Sequence, residues 1–201
     1  MLLKTFTLGG VHPEENKVSS ASPIRRIPLP KSVVVPLAQH IGAPAEALVA
    51  KGDKVKTGQL IARGQSFISA NVHAPVSGTV TKIDDFTDSS GYRKRSVQIE
   101  TQGDEWIEEV DLSETFHGEI TLSREEIIAR IRESGIVGMG GATFPTHVKM
   151  MVPDGKKAEY LIINGVECEP YLTSDHRLML EHGDELMTGT RILMKALGVE
   201  K

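Results

Sequence analysis

The sequence contains very little cysteine and few aromatic residues. Its 201 residues include a single cysteine, Cys168, so no internal disulfide can form and a reducing compartment is favoured. One thiol also cannot by itself hold a zinc ion or an iron–sulfur cluster. Aromatic residues make up 4% of the chain and the formal net charge is −4. Because proteins that bind nucleic acids need basic surfaces and stacking rings, we expect no nucleic-acid partner.

Long apolar runs are missing as well. No window approaches about 18 consecutive apolar residues, the length needed to cross a bilayer, so we expect no transmembrane segment. The apolar start of the chain is too short for a signal peptide and has no basic region ahead of it. The seven histidines lack ligand spacing such as H-x-x-x-H, so no metal site is predicted in this segment.

The first hundred residues divide into an arm and an all-β region. Residues 9–31 contain four prolines. We interpret residues 1–31 as an extended arm laid on the surface, with a disordered tail as an equal alternative. Residues 32–100 show short β-branched runs separated by turn residues, including Pro75 and the pair Ser77–Gly78, and predict an all-β domain.

Two halves of this region share one pattern. "VAKGDKVKTGQLIA" and "ANVHAPVSGTVTKI" place glycines at the tight turns of a small flattened barrel, and they resemble the biotinyl/lipoyl-like barrel-sandwich hybrid fold. Carrier domains of that type present a modifiable lysine on the hairpin between the halves. The corresponding residues 63–73, "RGQSFISANVH", contain no lysine. We therefore reject a carrier function and interpret the region as a structural module that docks onto a neighbour.

The remainder is interpreted as a connector, residues 101–122, and the start of an α/β domain, residues 123–201. Ser123 and Glu126 form a capping box that predicts a helix, whose apolar stripe is Ile127, Ile128 and Ile131. Residues 158–164 predict a strand buried on both faces, followed by two helices separated at Gly183. One strand does not close an α/β domain, so we expect this domain to be incomplete, within an α+β multidomain chain.

A glycine-rich stretch, "GIVGMGGATFPTHVK", occupies residues 135–149. It follows a helix rather than a strand and lacks Gly-Lys-Ser/Thr, which excludes the Rossmann and Walker motifs. Thr143 and Pro145 suit the start of a second helix, and free backbone N–H groups there would bind an anion. With the cation Lys149 and the flat ring of Phe144, the stretch suggests a flavin nucleotide or dinucleotide site; a plain inter-helix loop is the alternative.

Polar residues follow the predicted strand. Asn164 would project from the carboxyl edge of a sheet, where ligands of α/β domains bind, and its amide can donate and accept. Glu167 and Glu169 lie two residues apart, on one side of an extended loop. They would face a ribose or a carboxamide, and the alternative is that they are solvated loop carboxylates.

These motifs carry a family resemblance. "G-x-G-G-A-x-F-P-T-x-x-K" followed by "N-x-x-E-x-E-P" resembles the FMN- and NADH-binding subunit of respiratory complex I. With "TFTLGGVHPEENK" and "VPLAQHIGAPA" in the first half, the whole chain resembles the N-terminal part of the RnfC family, the peripheral NADH-, FMN- and iron–sulfur-binding subunits of the Rnf complex. It departs from the complex I pattern in having Thr143 and His147 in place of glycines and Val166 in place of an acid.

The resemblance implies a component of an ion-translocating NADH:ferredoxin oxidoreductase. It implies electron transfer between NADH and ferredoxin by hydride transfer to FMN, then through two downstream 4Fe-4S clusters that have no ligands in this segment. The fragment alone is expected to be inactive. The partners would be other subunits of the complex and, indirectly, ferredoxin. The location would be peripheral, on the cytoplasmic side of the bacterial inner membrane.

The resemblance also assigns roles to individual residues, none of them catalytic. The residues it implies for FMN are Gly138, Gly140, Gly141, Lys149 and Asn164, and those it implies for NADH are Phe144, Glu167 and Glu169. Two alternatives stay open: a non-catalytic docking module, and a related subunit of the sodium-translocating NADH:quinone reductase. The intact glycine motif disfavours the second.

Overall fold

The computed structural model describes residues 13–88, 90–113, 118–167 and 169–201. Cys168, the first twelve residues of the arm and part of the connector therefore lie outside the described residues. The chain forms two compact units, one made of Met1–Arg26 with Ile162–Arg191 and the other of Ile27–Leu161 with Ile192–Lys201. The boundaries that the sequence suggests between arm, β domain, connector and second domain stay a prediction.

The larger unit contains two antiparallel sheets. One has the strand order β1-β7-β6-β3 and the other the order β2-β4-β5. The strands are β1 (Ser32–Pro36), β2 (Glu46–Ala47), β3 (Lys54–Val55), β4 (Leu60–Arg63), β5 (Val72–His73), β6 (Ser77–Thr87) and β7 (Arg93–Gly103). The all-β architecture expected for this region is confirmed.

The core of the two sheets is built from β-branched and small residues. The fully buried side chains include Ile61 in β4, Val80 in β6, and Val97 and Ile99 in β7. Both β6 and β7 combine buried positions with exposed ones, as expected for antiparallel strands with one face on the core. Burial of these side chains is the main stabilising contribution to this half of the chain.

Gly78 corrects one expectation from the sequence. The pair Ser77–Gly78 was expected in a turn, but both residues lie in β6, at a register shift against β7. A Cβ on Gly78 would overlap the backbone carbonyl of Glu100 in β7. The glycine is therefore needed because two backbones approach closely, and not because the chain turns.

Four helices follow: α1 (Arg124–Glu133), α2 (Thr146–Lys149), α3 (Ser174–Glu181) and α4 (Gly183–Leu197). The capping box of α1 is confirmed, since the Ser123 hydroxyl accepts from the Glu126 N–H at 3.3 Å and the Glu126 carboxylate accepts from the Ser123 N–H at 2.7 Å. Ile127 and Ile131 are buried in a second cluster with Met150 and Ala196. The expected pair of helices near Gly183 is also confirmed.

The predicted strand at residues 158–164 is wrong. The segment has no regular structure, and Tyr160 and Ile162 are 62% and 84% exposed. A strand needs a neighbour to pair its N–H and C=O groups, and no strand of the described residues lies beside this segment. Asn164 therefore does not end a buried strand at a sheet edge, as the sequence had suggested.

In the smaller unit, the described part of the arm binds the segment that contains α3. The Lys17 ammonium donates to the carbonyls of Glu169 and Leu172 at 2.9 and 2.7 Å. The Arg177 guanidinium donates to the Ser20 carbonyl at 3.1 Å, and the Ile24 N–H donates to the Glu181 carboxylate. These bonds favour the extended arm over the disordered tail for residues 13–26.

Replacing Ile99 tests the first core. Ile99→Ala should lower the free energy of unfolding by about 2–5 kcal/mol, because it removes a fully buried side chain and leaves a cavity. The measurement is urea unfolding followed by circular dichroism. The matched control is Ile27→Ala, since Ile27 is 85% exposed and its loss should cost less than about 0.5 kcal/mol. Equal effects of the two variants would contradict this assignment of the core.

Candidate functional site

The glycine loop, defined as residues 138–144, is closed at its neck by hydrogen bonds. Val137 and Pro145 form an antiparallel bridge beneath it, and the Gly138 N–H donates to the Phe144 carbonyl at 2.9 Å. Within the loop, the Thr143 N–H donates to the Gly140 carbonyl at 3.2 Å. The outer turn points into solvent, and Met139 at its start is 95% exposed.

The three predicted glycines of the loop have different physical reasons. A Cβ on Gly138 would lie 2.5 Å from the Lys149 Nζ, so the absent side chain leaves room for the ammonium beside the neck. Around Gly140 and Gly141 a Cβ would meet nothing within 4 Å, and neither residue has a positive φ. Neither packing against described residues nor backbone conformation requires glycine at these two positions. Close approach of a bound molecule to the backbone does account for them.

The loop is rich in hydrogen-bond donors and contains no acid. Within the described part of the chain, the N–H groups of residues 139–142 donate to no other residue. Lys149 is exposed and forms no ion pair with a described residue. Residues 135–149 contain no Asp or Glu. Several free N–H groups beside one ammonium, without a carboxylate, are the donor set that suits a phosphate group.

The donors come from the loop and not from a helix terminus, which corrects the expectation from the sequence. Helix α2 has only four residues, Thr146–Lys149, and Pro145 precedes it without a side-chain cap. Thr143 does not cap the helix either, because its hydroxyl donates to the Gln39 carbonyl at 2.8 Å. Its φ is +46°, in the left-handed region, where glycine is the residue expected from the complex I pattern.

Two buried histidines hold the lysine-free segment, residues 63–73, against its surroundings. The His40 Nε2 accepts a hydrogen bond from the Ala70 N–H. His147, in α2, is 2% exposed and its ring hydrogen-bonds to the Phe67 backbone. Neither histidine was assigned a role from the sequence; the signal that was available is that His147 stands where the complex I pattern has glycine.

Asn71 completes this contact. Its side-chain amide donates to the Glu133 carbonyl at the end of α1 at 3.0 Å and accepts from the Gly64 N–H at 3.1 Å. Gly135, with φ +64°, passes so close to the Asn71 carbonyl that a Cβ would overlap it. The surface that carrier domains use to present a lysine is therefore docked, in this chain, onto α1 and the start of the glycine-rich stretch.

Burial shifts the acid–base properties of these histidines. It is the main cause of the lowered pKa of His40, and it likewise lowers the pKa of His73. For His147, burial and then the charge of Arg132 lower the pKa, while the hydrogen bond to Phe67 partly opposes them. All three rings are therefore held in the neutral form at pH 7, which the acceptor role of the His40 Nε2 also requires.

The remaining predicted site residues lie in the smaller unit. The Asn164 side-chain oxygen accepts from the Val166 N–H at 3.0 Å, which leaves its exposed NH₂ group to donate. The Glu167 carboxylate accepts from the Asp175 N–H at 2.8 Å, so it serves the first turn of α3. Glu169 is exposed, and no described residue bonds its carboxylate.

The structure thus brings together part of the predicted set. Gly138, Gly140, Gly141, Phe144 and Lys149 share the loop and its flank in the larger unit. Phe144 is half-buried and its carbonyl closes the neck. Asn164, Glu167 and Glu169 belong to the other unit, so each group is a partial site.

Two family matches divide the chain. Residues 4–104 match the family described as the RnfC barrel sandwich hybrid domain. Residues 131–201 match the family described as the Nuo51 FMN-binding domain. The first match covers the described strands, and the second covers the glycine loop, Lys149 and the Asn164–Glu169 segment.

Three relatives illustrate the similarity, and each is named as the C component of an oxidoreductase complex. That of the proton-translocating ferredoxin:NAD(+) oxidoreductase complex of Clostridium ljungdahlii is 48% identical over 202 residues, covering 100% of this chain and 43% of that protein. Its Na(+)-translocating counterpart from Acetobacterium woodii is 42% identical, covering 96% of this chain and 43% of that protein. That of the ion-translocating oxidoreductase complex of Haemophilus influenzae (strain PittEE) is 42% identical, over 96% and 30% respectively. The chain spans less than half the length of each.

Membrane spans and metal clusters are both absent from the part of the chain that the structure describes. None of the helices there is long and apolar enough to cross a membrane. Nor do three or more His, Cys, Asp or Glu side chains among the described residues cluster as metal ligands would.

The neutral histidines predict a pH dependence. Their folded pKa values lie below the unfolded value of about 6.5, so the unfolded chain binds more protons between the two. The contribution to stability is complete above about pH 6.5 and is lost as the pH falls through the folded values. Urea midpoints measured from about pH 7.5 to 5.5 should therefore fall.

His40→Gln should reduce this dependence, because glutamine does not titrate and still offers an acceptor for the Ala70 N–H. The matched control is His176→Gln, at an exposed position in α3. An unchanged pH profile in His40→Gln would count against the buried, neutral ring as the source.

Proposed function

The chain belongs to the RnfC family, and on this premise we propose that it binds FMN at the glycine loop and takes part in electron transfer between NADH and ferredoxin, coupled to ion translocation. The resemblance inferred from the motifs is confirmed by the family matches. The observation that supports the site most directly is the pair Gly140 and Gly141, at which no described neighbour and no backbone strain requires glycine.

The residues of the loop fit the phosphate of a flavin nucleotide. The N–H groups of residues 139–142, which no described residue accepts from, offer several donors along one exposed turn. The Lys149 ammonium, held beside Gly138, adds a positive charge that the loop does not neutralise with an acid. Donors fixed in place before the ligand arrives bind an anion without the cost of reorganising the loop.

The other proposed contacts follow from the groups that remain free. The exposed NH₂ of Asn164 would donate to FMN, and Phe144 would pack near the nicotinamide. Glu169, whose carboxylate is free of described partners, would accept from the NADH ribose. Glu167 would line the same region, although its carboxylate already holds the first turn of α3. When bound, the flavin supplies the exchange between two-electron and one-electron transfer.

The wider assembly is part of the same proposal. The relatives are named as components of ion-translocating complexes, and one name specifies protons and another sodium. We place this chain peripherally, at the cytoplasmic side of the bacterial inner membrane, among other subunits that connect it to ferredoxin. The two 4Fe-4S clusters would be bound by a region outside this segment, since Cys168 is its single cysteine.

Lys149 provides the direct test. Lys149→Ala should weaken FMN binding by about 10- to 100-fold, because a charge-assisted hydrogen bond contributes about 1.5–3 kcal/mol. The measurement is FMN fluorescence quenching, with NADH oxidation assayed in parallel. The matched control is Lys51→Ala, at an exposed turn of the β region. If the parent binds no FMN, or if Lys149→Ala leaves both quantities intact, the assignment is wrong.

Glu169 tests the nucleotide side separately. Glu169→Gln should raise the dissociation constant of NADH several-fold, roughly the 1.5 kcal/mol of one hydrogen bond to a charged group, and leave FMN affinity unchanged. Isothermal titration of the FMN-loaded protein with NADH measures it. Glu159→Gln, at another exposed glutamate, is the control. Equal NADH affinity in both variants would remove Glu169 from the site.

A further inference from the structure

Thr143 has a backbone conformation that its side chain disfavours. Its φ of +46° lies in the left-handed region, and among described residues other than glycine only Asn16 shares a positive φ. Asparagine tolerates this region, whereas a β-branched residue there is an outlier that costs free energy. A glycine would adopt the same backbone without that cost. The side chain of Thr143 must therefore contribute something that glycine would not.

That contribution is a hydrogen bond to the β region. The Thr143 hydroxyl donates to the Gln39 carbonyl at 2.8 Å. One residue earlier, the Ala142 carbonyl accepts from the Ile41 N–H at 3.3 Å. These two bonds join the far end of the glycine loop to residues 39–41, a segment distant in sequence.

The segment that receives these bonds is itself fixed. The Gln39 side chain donates to the Pro36 carbonyl at the end of β1 at 3.0 Å. Leu37 is buried, and its N–H donates to the Arg95 carbonyl in β7 at 2.9 Å. The His40 ring accepts from the Ala70 N–H. The loop is thus anchored to the core sheet of the β region through one short, well-bonded stretch.

We propose that Thr143 is a positioning residue of the flavin site. Its hydroxyl, held by the Gln39 carbonyl, keeps the N–H groups of residues 139–142 turned outward before FMN binds. The barrel-sandwich module is then a structural half of the flavin site. Thr143 touches no ligand in this role, and it acts on affinity by limiting the loop conformations that binding would otherwise have to select. This inference rests on the proposed function.

Three variants of the full chain separate the hydroxyl from the rest of the side chain. Thr143→Val keeps the shape and the β-branch and removes the hydroxyl. Thr143→Ser keeps the hydroxyl and removes a methyl group. Thr81→Val is the matched control, because the Thr81 hydroxyl in β6 also donates to a backbone carbonyl, that of Gln98, at 3.4 Å.

Two readouts are needed. In the flavin-free protein, hydrogen exchange of the Ile41, Gly138 and Thr143 amides should accelerate in Thr143→Val and stay near the parent rate in Thr143→Ser. FMN titration should show affinity about 2- to 10-fold weaker in Thr143→Val, the range expected for losing one neutral hydrogen bond, with serine restoring most of it. Thr81→Val should change neither.

The outcomes distinguish this inference from the function on which it rests. If Lys149→Ala weakens FMN binding and Thr143→Val does not, the flavin site stands and the positioning role of Thr143 is overturned. If serine fails to restore what valine loses, the hydroxyl is not the cause and the inference is also overturned. If the parent binds no FMN, the proposed function fails and the inference fails with it.

Discussion

The hydrogen bonds between the glycine loop and residues 39–41 determine where the candidate site lies. The loop has almost no side-chain mass of its own, so it cannot hold a shape by hydrophobic packing. Its neck is closed by the Gly138–Phe144 backbone bond, and its far end is fixed by the Thr143 hydroxyl and the Ala142 carbonyl. Without a rigid β region to receive these bonds, the exposed N–H groups would sample many orientations, and binding an anion would carry the cost of ordering them.

The docked segment at residues 63–73 extends the same arrangement. Three polar contacts hold it, from His40, from Asn71 and from His147. A carrier domain needs this hairpin exposed and mobile so that a modified lysine can move between sites. Here the lysine is missing and the hairpin is fixed against α1 and α2. The fold has been retained while the mobile function of its hairpin is replaced by a structural one, which is consistent with the general observation that a fold does not define an activity.

The sequence predicted features that depend on local chemistry. The capping box of α1 follows from Ser123 and Glu126 alone, and the short strands follow from β-branched runs between turn residues. Errors arose where a neighbour distant in sequence decides the structure. The apolar run at residues 158–164 has strand composition, but pairing requires a partner that is not found among the described residues. Gly78 looked like a turn residue because the approach of the Glu100 carbonyl is invisible in the sequence.

The glycines illustrate how far such reasoning extends to the candidate site. Gly135 is explained by its positive φ and by the Asn71 carbonyl, and Gly138 by the Lys149 ammonium, so both are required by contacts within the chain. Gly140 and Gly141 are explained by neither kind of contact. A side chain at either position would extend into space that the described chain leaves open, beside N–H groups that no described residue accepts from. Glycine density alone indicated a site, whereas the separation into these two kinds favours the outer turn, beside Lys149, as the place where a ligand binds.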